Sequence, residues 1–159
     1  MGQDHAVRAV IDTSTLVSAQ LRRDLQQAAQ LGAYTAVWSP WIIAELTRVL
    51  TWKWIARDLN VSLANWRRCS VSAKTMMGLL IATFEVVTPA PPYPPVWETF
   101  TDSDDHPVWA AAKISAARYV ISENTRHFPP PGRDGQHVHE GIEYLRGQEF
   151  LDRLAVGTA

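Results

Sequence analysis

The sequence predicts an α/β fold with a mainly parallel central sheet. Four short apolar runs, at 7–11, 34–39, 84–88 and 117–122, are typical of buried strands, and segments with helical spacing of apolar residues separate them. Strands that alternate with helices favour parallel pairing, because each helix returns the chain to the same end of the sheet. A length of 159 residues suits one domain of ordinary size, so we expect residues 1–159 to form a single domain.

The first strand leads to an acid. VRAVI, residues 7–11, is rich in β-branched residues and stops at Asp12, and a helical pattern begins at Ser14. That helix ends before a glycine, and its pattern is compatible with a break near Arg22 and Arg23. The first strand is therefore expected to place a carboxylate at its carboxyl end.

The second strand, YTAVWS at 34–39, leads to the longest helical region. Pro40 stands at the first turn of the next helix, where the missing amide hydrogen is tolerated. This helix has Glu45 near its middle, and helical spacing resumes over 61–84 after a break expected at 60–62. The remaining predicted elements are a strand at 84–88, a stiff proline-rich connector at 89–95, a helix at 107–117, strands at 117–122 and 142–145, and a helix at 148–154.

The composition is that of an ordinary globular protein. Hydrophobic residues make up 47% of the chain and charged residues 19%, which argues against disorder. With 15 basic and 16 acidic residues, the net charge of −1 gives no general attraction for nucleic acid, which would have to bind a local patch. The single Cys69 excludes an intrachain disulfide, and no apolar run approaches the length of a membrane span. We therefore expect a cytoplasmic protein that does not enter a membrane.

Polar side chains stand where the carboxyl ends of the predicted strands and the starts of nearby helices are expected to meet. They are Asp12, Glu45, Asp102, Asp104, Asp105, Glu123 and Asn124. Each alone has a structural explanation, because an acid can cap a helix or pair with an arginine on the surface. Gathered in one pocket, the acids would repel one another unless a cation compensated, and oxygen-only ligands favour Mg²⁺ or Mn²⁺. A zinc site built on the two imidazoles of HVH, 137–139, lacks a third ligand.

Three stretches then show a family pattern in their order and spacing. They are VIDTSTLVSA, SPWIIAELTRVL and DSDDHPVWAAAKISAARYVISENTRHFP. They resemble the PIN-domain nucleases, including the ribonuclease toxins of bacterial toxin–antitoxin pairs, over residues 7–129 and more loosely to GQEFLDRL. The resemblance implies a three-layer α/β/α sandwich and Mg²⁺- or Mn²⁺-dependent cleavage of RNA.

The resemblance also implies roles for individual residues. Asp12, Glu45 and Asp105 correspond to the catalytic, metal-binding acids, and Asp102 or Asp104 would be a neighbouring ligand. Two positions depart from the pattern, because Asn124 replaces an acid that often follows the fourth strand and His127 replaces one that commonly precedes FP. Asn124 would be a neutral ligand at best, and adjacent positions leaving a strand usually point apart, which limits Glu123 as a substitute.

Substrate and partner contacts are expected around these acids. Ser14 would support the first acid at the substrate-binding site, and Arg22, Arg23 and Arg126 are candidate phosphate contacts. Five of the seven tryptophans cluster in one region: Trp38, Trp41, Trp52, Trp54 and Trp66. Exposed members of this cluster would form an apolar surface for a homodimer or an antitoxin, or stack on unpaired bases.

Two other functions remain open from the sequence. One is a PIN-like module with a degenerate site that binds RNA or a partner protein without cleaving it, which the departures at Asn124 and His127 favour. The other is a phosphatase of the haloacid-dehalogenase type, but that chemistry expects a second aspartate two positions after Asp12, where this chain has Ser14.

Overall fold

A mostly parallel sheet of six strands forms the centre of the structure, a computed structural model that describes residues 6–90 and 106–159. The strands are β1 (Arg8–Ile11), β2 (Thr35–Trp38), β3 (Glu85–Val86), β4 (Tyr119–Ile121), β5 (Val138–His139) and β6 (Ile142–Leu145). Their order across the sheet is β3-β2-β1-β4-β6-β5. Within these residues only β5 pairs antiparallel, at the edge next to β6.

Helices cover the sheet to give a three-layer α/β/α sandwich. They are α1 (Thr13–Leu16), α2 (Ala19–Gln30), α3 (Pro40–Asp58), α4 (Leu63–Ile81), α5 (His106–Ile114) and α6 (Gly147–Ala155). α2 packs against α6, α3 packs along α4, and α5 lies against β1, β2 and β4. This confirms the predicted fold class and the mainly parallel sheet.

The central strands are mostly apolar, with Glu143 of β6 as a buried exception, because both of their faces are covered. Every residue of β4 and β6 is buried, and so are the last three residues of β1 and of β2. Trp38, at the end of β2, is fully buried and packs edge-on against Phe84 with ring centroids 5.2 Å apart. Strand runs without polar alternation therefore indicated the interior of the sheet correctly.

Serines define the starts of three helices. The hydroxyls of Ser18, Ser39 and Ser62 accept the backbone N–H three residues later and so begin α2, α3 and α4. Pro40 occupies the first turn of α3, as predicted. The predicted break at 60–62 is confirmed, because Leu59 ends α3 in the left-handed region with φ of 50°.

One helix break was predicted at the wrong place. The interruption lies at Val17 and Ser18, between α1 and α2, and not near Arg22 and Arg23. Ser18 caps α2, and the Arg22 guanidinium reaches back 2.6 Å to the Leu16 carbonyl at the end of α1. The two arginines therefore lie within a continuous helix.

Other boundaries differ by a few residues from the sequence prediction. The strand predicted at 117–122 spans Tyr119–Ile121, and the last helix extends from Gly147 to Ala155. β5 was missed, because two residues are too few to establish an alternating pattern. Of the proline-rich connector, residues 91–95 lie outside the described residues. No helix in the described part of the chain has the length and apolar character needed to cross a membrane.

Candidate functional site

Asp12 lies at the carboxyl edge of the sheet, between its two central strands. β1 and β4 run parallel with Ile11 opposite Ile121, so the residues that follow them, Asp12 and Ser122, emerge side by side. The Asp12 amide continues the pairing by donating to the Ile121 carbonyl at 2.9 Å. The residue is only 9% exposed, so its carboxylate is held where few water molecules reach it.

Two serine hydroxyls hold this carboxylate. Ser14 Oγ lies 2.8 Å and Ser122 Oγ 2.9 Å from Asp12 Oδ2. The two serine oxygens are also 3.1 Å apart, but each hydroxyl has one proton, so the three contacts cannot all be hydrogen bonds at once. Both hydroxyls donate to Asp12 Oδ2 when their protons point to the carboxylate.

Backbone amides fix the direction of these protons. The Glu123 amide donates to Ser14 Oγ at 3.0 Å, and the Asn124 amide donates to Ser122 Oγ at 3.1 Å. Each serine oxygen therefore accepts a hydrogen bond from a backbone N–H and donates one from its hydroxyl to Asp12 Oδ2, which makes two short relays that strengthen cooperatively. We call these the serine relays. They orient the carboxylate. Among the described residues, every side-chain hydrogen bond to this carboxylate is accepted by Oδ2, and Oδ1 accepts none.

Glu45 approaches the same edge from α3. Because a single residue, Ser39, separates the end of β2 from the start of α3, the first turn of α3 lies at the carboxyl edge, and Glu45 is on the second turn. α1, which follows Asp12, packs against α3. Glu45 is half-buried and lines a surface hollow of about 310 Å³ together with Trp41, Ala44 and Arg48.

α5 also begins at this edge. Its 9 residues span about 13 Å, close to the length of the 4-residue β1 against which it packs. α5 precedes β4, which starts at the opposite edge beside Ala9, so the first residue of α5, His106, lies toward the carboxyl edge. The three predicted aspartates, Asp102, Asp104 and Asp105, immediately precede His106 in the chain and lie outside the described residues.

Sequence comparison identifies the family of the chain. A family profile described as PIN domain matches residues 8–126, about three quarters of the chain. The chain belongs to the PIN-domain family. No individual curated protein matches it. PIN domains are generally nucleases, so nucleic acid is the substrate class of the family.

The two positions at which the sequence is expected to depart from the PIN pattern, Asn124 and His127, lie after β4. The Asn124 side-chain amide is 3.0 Å from His127 Nδ1, so these two residues contact each other. The Glu123 carboxylate accepts the Gly147 amide at 2.7 Å and Arg146 Nε at 3.1 Å, at the start of α6. Glu123 therefore links β4 to α6, where an acid satisfies the free amides of a helix start, and does not replace the missing acid at Asn124.

Ser122 is the site residue that sequence reasoning missed. It follows a predicted strand directly, as Asp12 does, and this matching position was the signal available. Serine after a strand is common, however, and the contact with Asp12 spans 110 positions in the chain. Only the register between β1 and β4 shows that the two residues are neighbours.

The predicted phosphate contacts separate into buried and exposed arginines. Arg22 is 7% exposed and donates to the Leu16 carbonyl, and burial lowers its pKa with a further contribution from Arg23. Arg22 is therefore placed to join α1 to α2 and not to meet a substrate. Arg23 is exposed and donates to Gln20 at 2.8 Å, and Arg126 is exposed in a 3₁₀ turn directly after Asn124.

The donor chemistry at this edge fits a hard cation. Within residues 6–90 and 106–159, no group of three or more His, Cys, Asp or Glu side chains is close enough to hold a metal ion. At this edge the Glu123 carboxylate is engaged by the start of α6, whereas Asp12 and Glu45 are candidate ligands, and both offer oxygen, as Mg²⁺ and Mn²⁺ prefer. The two imidazoles of HVH contact different residues: His137 lies against the Pro129 carbonyl, and His139 packs on the Trp109 ring.

Proposed function

We propose that this PIN-domain chain is a metal-dependent endoribonuclease that hydrolyses RNA phosphodiester bonds. The observation that carries the proposal is the oriented carboxylate of Asp12, which the serine relays hold at the edge where α3 and α5 begin. A fixed carboxylate whose second oxygen accepts no hydrogen bond from residues 6–90 and 106–159 suits a ligand for Mg²⁺ or Mn²⁺.

The proposed ligands are Asp12, Glu45 and Asp105, which are also the proposed catalytic residues. Asp102, Asp104 and the Asn124 amide oxygen would complete the set. When bound, the ion supplies positive charge that stabilises the phosphoryl transition state and activates water for attack. The chain itself orients the Asp12 carboxylate through Ser14 and excludes bulk water from it by burial.

Exposed cations would bring the RNA to this acidic edge. Arg126 follows Asn124 in a surface turn, and Arg23 is exposed on α2, so both guanidinium groups are accessible to phosphates. The structural position of Arg22 removes it from this proposal. The chain is close to neutral overall, so these local charges would provide the electrostatic contribution to RNA binding.

We further propose that the protein is the toxin of a toxin–antitoxin pair, acting in the cytoplasm as a single domain of residues 1–159. Support comes from large apolar side chains exposed on the α3–α4 hairpin, including Trp52 at 54%, Leu59 at 93% and Trp66 at 43% exposure. Surfaces of this kind bind protein partners, here an antitoxin or a second copy of the chain.

RNA cleavage with matched acid variants tests the nuclease proposal. Asp12→Asn and Asp105→Asn keep the size of the side chain but remove the charge. Asp152→Asn makes the same change at an exposed position of α6 and serves as the control. Single-stranded RNA should be cut by wild type and Asp152→Asn in Mg²⁺ or Mn²⁺ and by neither in EDTA. The two site variants should lose at least about 100-fold in rate, as expected for loss of a metal ligand. Wild-type rates in either site variant would refute the proposal.

A non-catalytic PIN-like module that binds RNA or a partner protein is the second candidate. Asn124 and Glu123 favour it, because the end of β4 supplies a neutral side chain and an acid already engaged by α6. Such a module would bind RNA without cutting it, and Mg²⁺ would not raise its melting temperature. A nuclease site should gain stability on binding the ion.

A further inference from the structure

One face of α3 combines an aromatic ring, a small residue, an acid and a cation around an open hollow. Trp41, Ala44, Glu45 and Arg48 stand at positions i, i+3, i+4 and i+7, which share a face of a helix. They line a hollow of about 310 Å³. Glu45 is a proposed metal ligand, and Trp41 belongs to the tryptophan cluster that the sequence predicts to bind a partner or unpaired bases.

Trp41 is held firmly but is not enclosed. It lies in the first turn of α3, is half-buried, and packs against the core. Trp38, three residues earlier in β2, is fully buried, so the two rings serve different purposes. A tryptophan fixed on one side and open on the other offers a large rigid surface at low entropic cost.

Ala44 and Arg48 suit the hollow to a nucleotide. Ala44 is exposed and small, so its own side chain leaves room between the ring and the acid. Arg48 is exposed, and within the described part of the chain no carboxylate forms an ion pair with it. Along the helix axis, Trp41 lies about 6 Å before Glu45 and Arg48 about 4.5 Å after it, at 1.5 Å per residue. The ring and the cation therefore flank the acid.

We propose that this hollow is a subsite for one unpaired nucleotide of the RNA substrate, with its base stacked on Trp41 and a neighbouring phosphate bound by Arg48. This inference rests on the proposed function, because Glu45 would place the scissile phosphate next to the subsite. Base-paired strands keep the faces of their bases stacked, so the subsite selects single-stranded RNA.

Binding measured without cleavage tests the stacking contact. Anisotropy of a labelled single-stranded RNA oligomer in EDTA should show roughly 5- to 150-fold weaker binding for Trp41→Ala, the range for loss of one base stacked on an aromatic residue. Trp41→Phe should recover part of the affinity. Trp41→Leu, which keeps apolar volume against the core, should not. Trp66→Ala, on α4 and 43% exposed, is the matched control and should bind as wild type does.

An abasic scan identifies the partner of Trp41. Removing the base that stacks on the ring should weaken binding to wild type by the same factor as Trp41→Ala. The same removal should have no further effect on the variant, because the two changes delete one contact. A duplex of the same sequence should bind equally to both proteins.

Salt dependence tests the phosphate contact. Arg48→Gln should lower the slope of log affinity against log salt by about 0.7, the value for one phosphate of a single strand. Arg67→Gln, an exposed arginine on α4, should leave the slope unchanged.

The outcomes separate this subsite from the nuclease proposal. RNA binding that depends on Trp41 and Arg48, without cleavage in Mg²⁺ or Mn²⁺, would support the subsite and refute the nuclease function. Normal cleavage, with the Trp41 and Arg48 variants binding as their controls do, would refute the subsite alone. The subsite would also be refuted if wild type bound no single-stranded RNA in EDTA. It would be refuted as well if Trp41→Leu and Trp66→Ala lost RNA affinity to the same extent.

Discussion

Replacing Ser122 with alanine should damage both the stability of the fold and the metal site. The substitution deletes the hydroxyl that donates to Asp12 Oδ2 at 2.9 Å and accepts the Asn124 amide at 3.1 Å. One serine relay is lost, while the other, through Ser14, remains intact. The buried carboxylate therefore keeps one of its two donors.

The size of the effect follows from the charge on the acceptor. A hydrogen bond to a charged group contributes about 1.5 to 3 kcal/mol, so the free energy of unfolding should fall by about 2 kcal/mol. For a chain of this length, that corresponds to a melting temperature lower by about 4 to 8 °C. Because the relay orients a proposed ligand, Mg²⁺ affinity and RNA cleavage should each fall by about 10- to 100-fold.

Ser115→Ala provides the matched control. Ser115 is also buried, but its hydroxyl donates 2.7 Å to the neutral Ala111 carbonyl at the end of α5. Chemical denaturation should give a loss of about 1 kcal/mol for this variant, without change in metal affinity or cleavage. If Ser122→Ala matched Ser115→Ala in stability, Mg²⁺ titration and cleavage, the argument that the serine relays prepare Asp12 would fail.

Three further substitutions test the packing and pairing around the site. Arg153→Met should lower the free energy of unfolding by about 3 kcal/mol in urea, because buried Glu143 loses two hydrogen bonds of 2.9 and 3.0 Å; a change below 1 kcal/mol would contradict this. Gly147→Ala should cost about 1 to 2 kcal/mol, because a Cβ would lie 3.1 Å from Leu21 methyl carbons, and an unchanged melting temperature would show that this contact relaxes freely. Burial raises the pKa of Tyr34 above its ordinary value of 10.0, so its phenol ionises first in the unfolded chain and stability should fall as pH rises above about 10. Tyr34→Phe should lower the free energy of unfolding by about 1 kcal/mol at neutral pH and make its decline at alkaline pH less steep. Denaturation curves at pH 8 to 11 measure this, and an equally steep decline in wild type and variant would contradict the prediction.

Local chemistry made several elements predictable from sequence. The β-branched run before Asp12 is confirmed as β1, and Pro40 is at the first turn of α3, because proline fits only a few positions of a helix. The order of strands and helices was sufficient for a parallel sheet, and parallel strands end at one edge. The sequence alone therefore predicts that Asp12 and the start of α3 lie at the same edge.

Contacts distant in the chain were not predictable in the same way. The pairing of Ser122 with Asp12 depends on the register of β1 against β4, which no local pattern states. The turn of Arg22 back to the Leu16 carbonyl follows from the sharp junction of α1 and α2, so an apparent phosphate contact is buried in the fold. Glu123 likewise found its partner at the start of α6, 24 residues later.

Metal binding by the acids at the carboxyl edge is the central claim, and calorimetric titration with Mg²⁺ and Mn²⁺ tests it most directly. Wild type and Asp152→Asn should give saturable heat and a melting temperature that rises with ion concentration. Asp12→Asn should give neither, although it remains folded. Equal binding by wild type and Asp12→Asn, or no binding by wild type, would contradict the account.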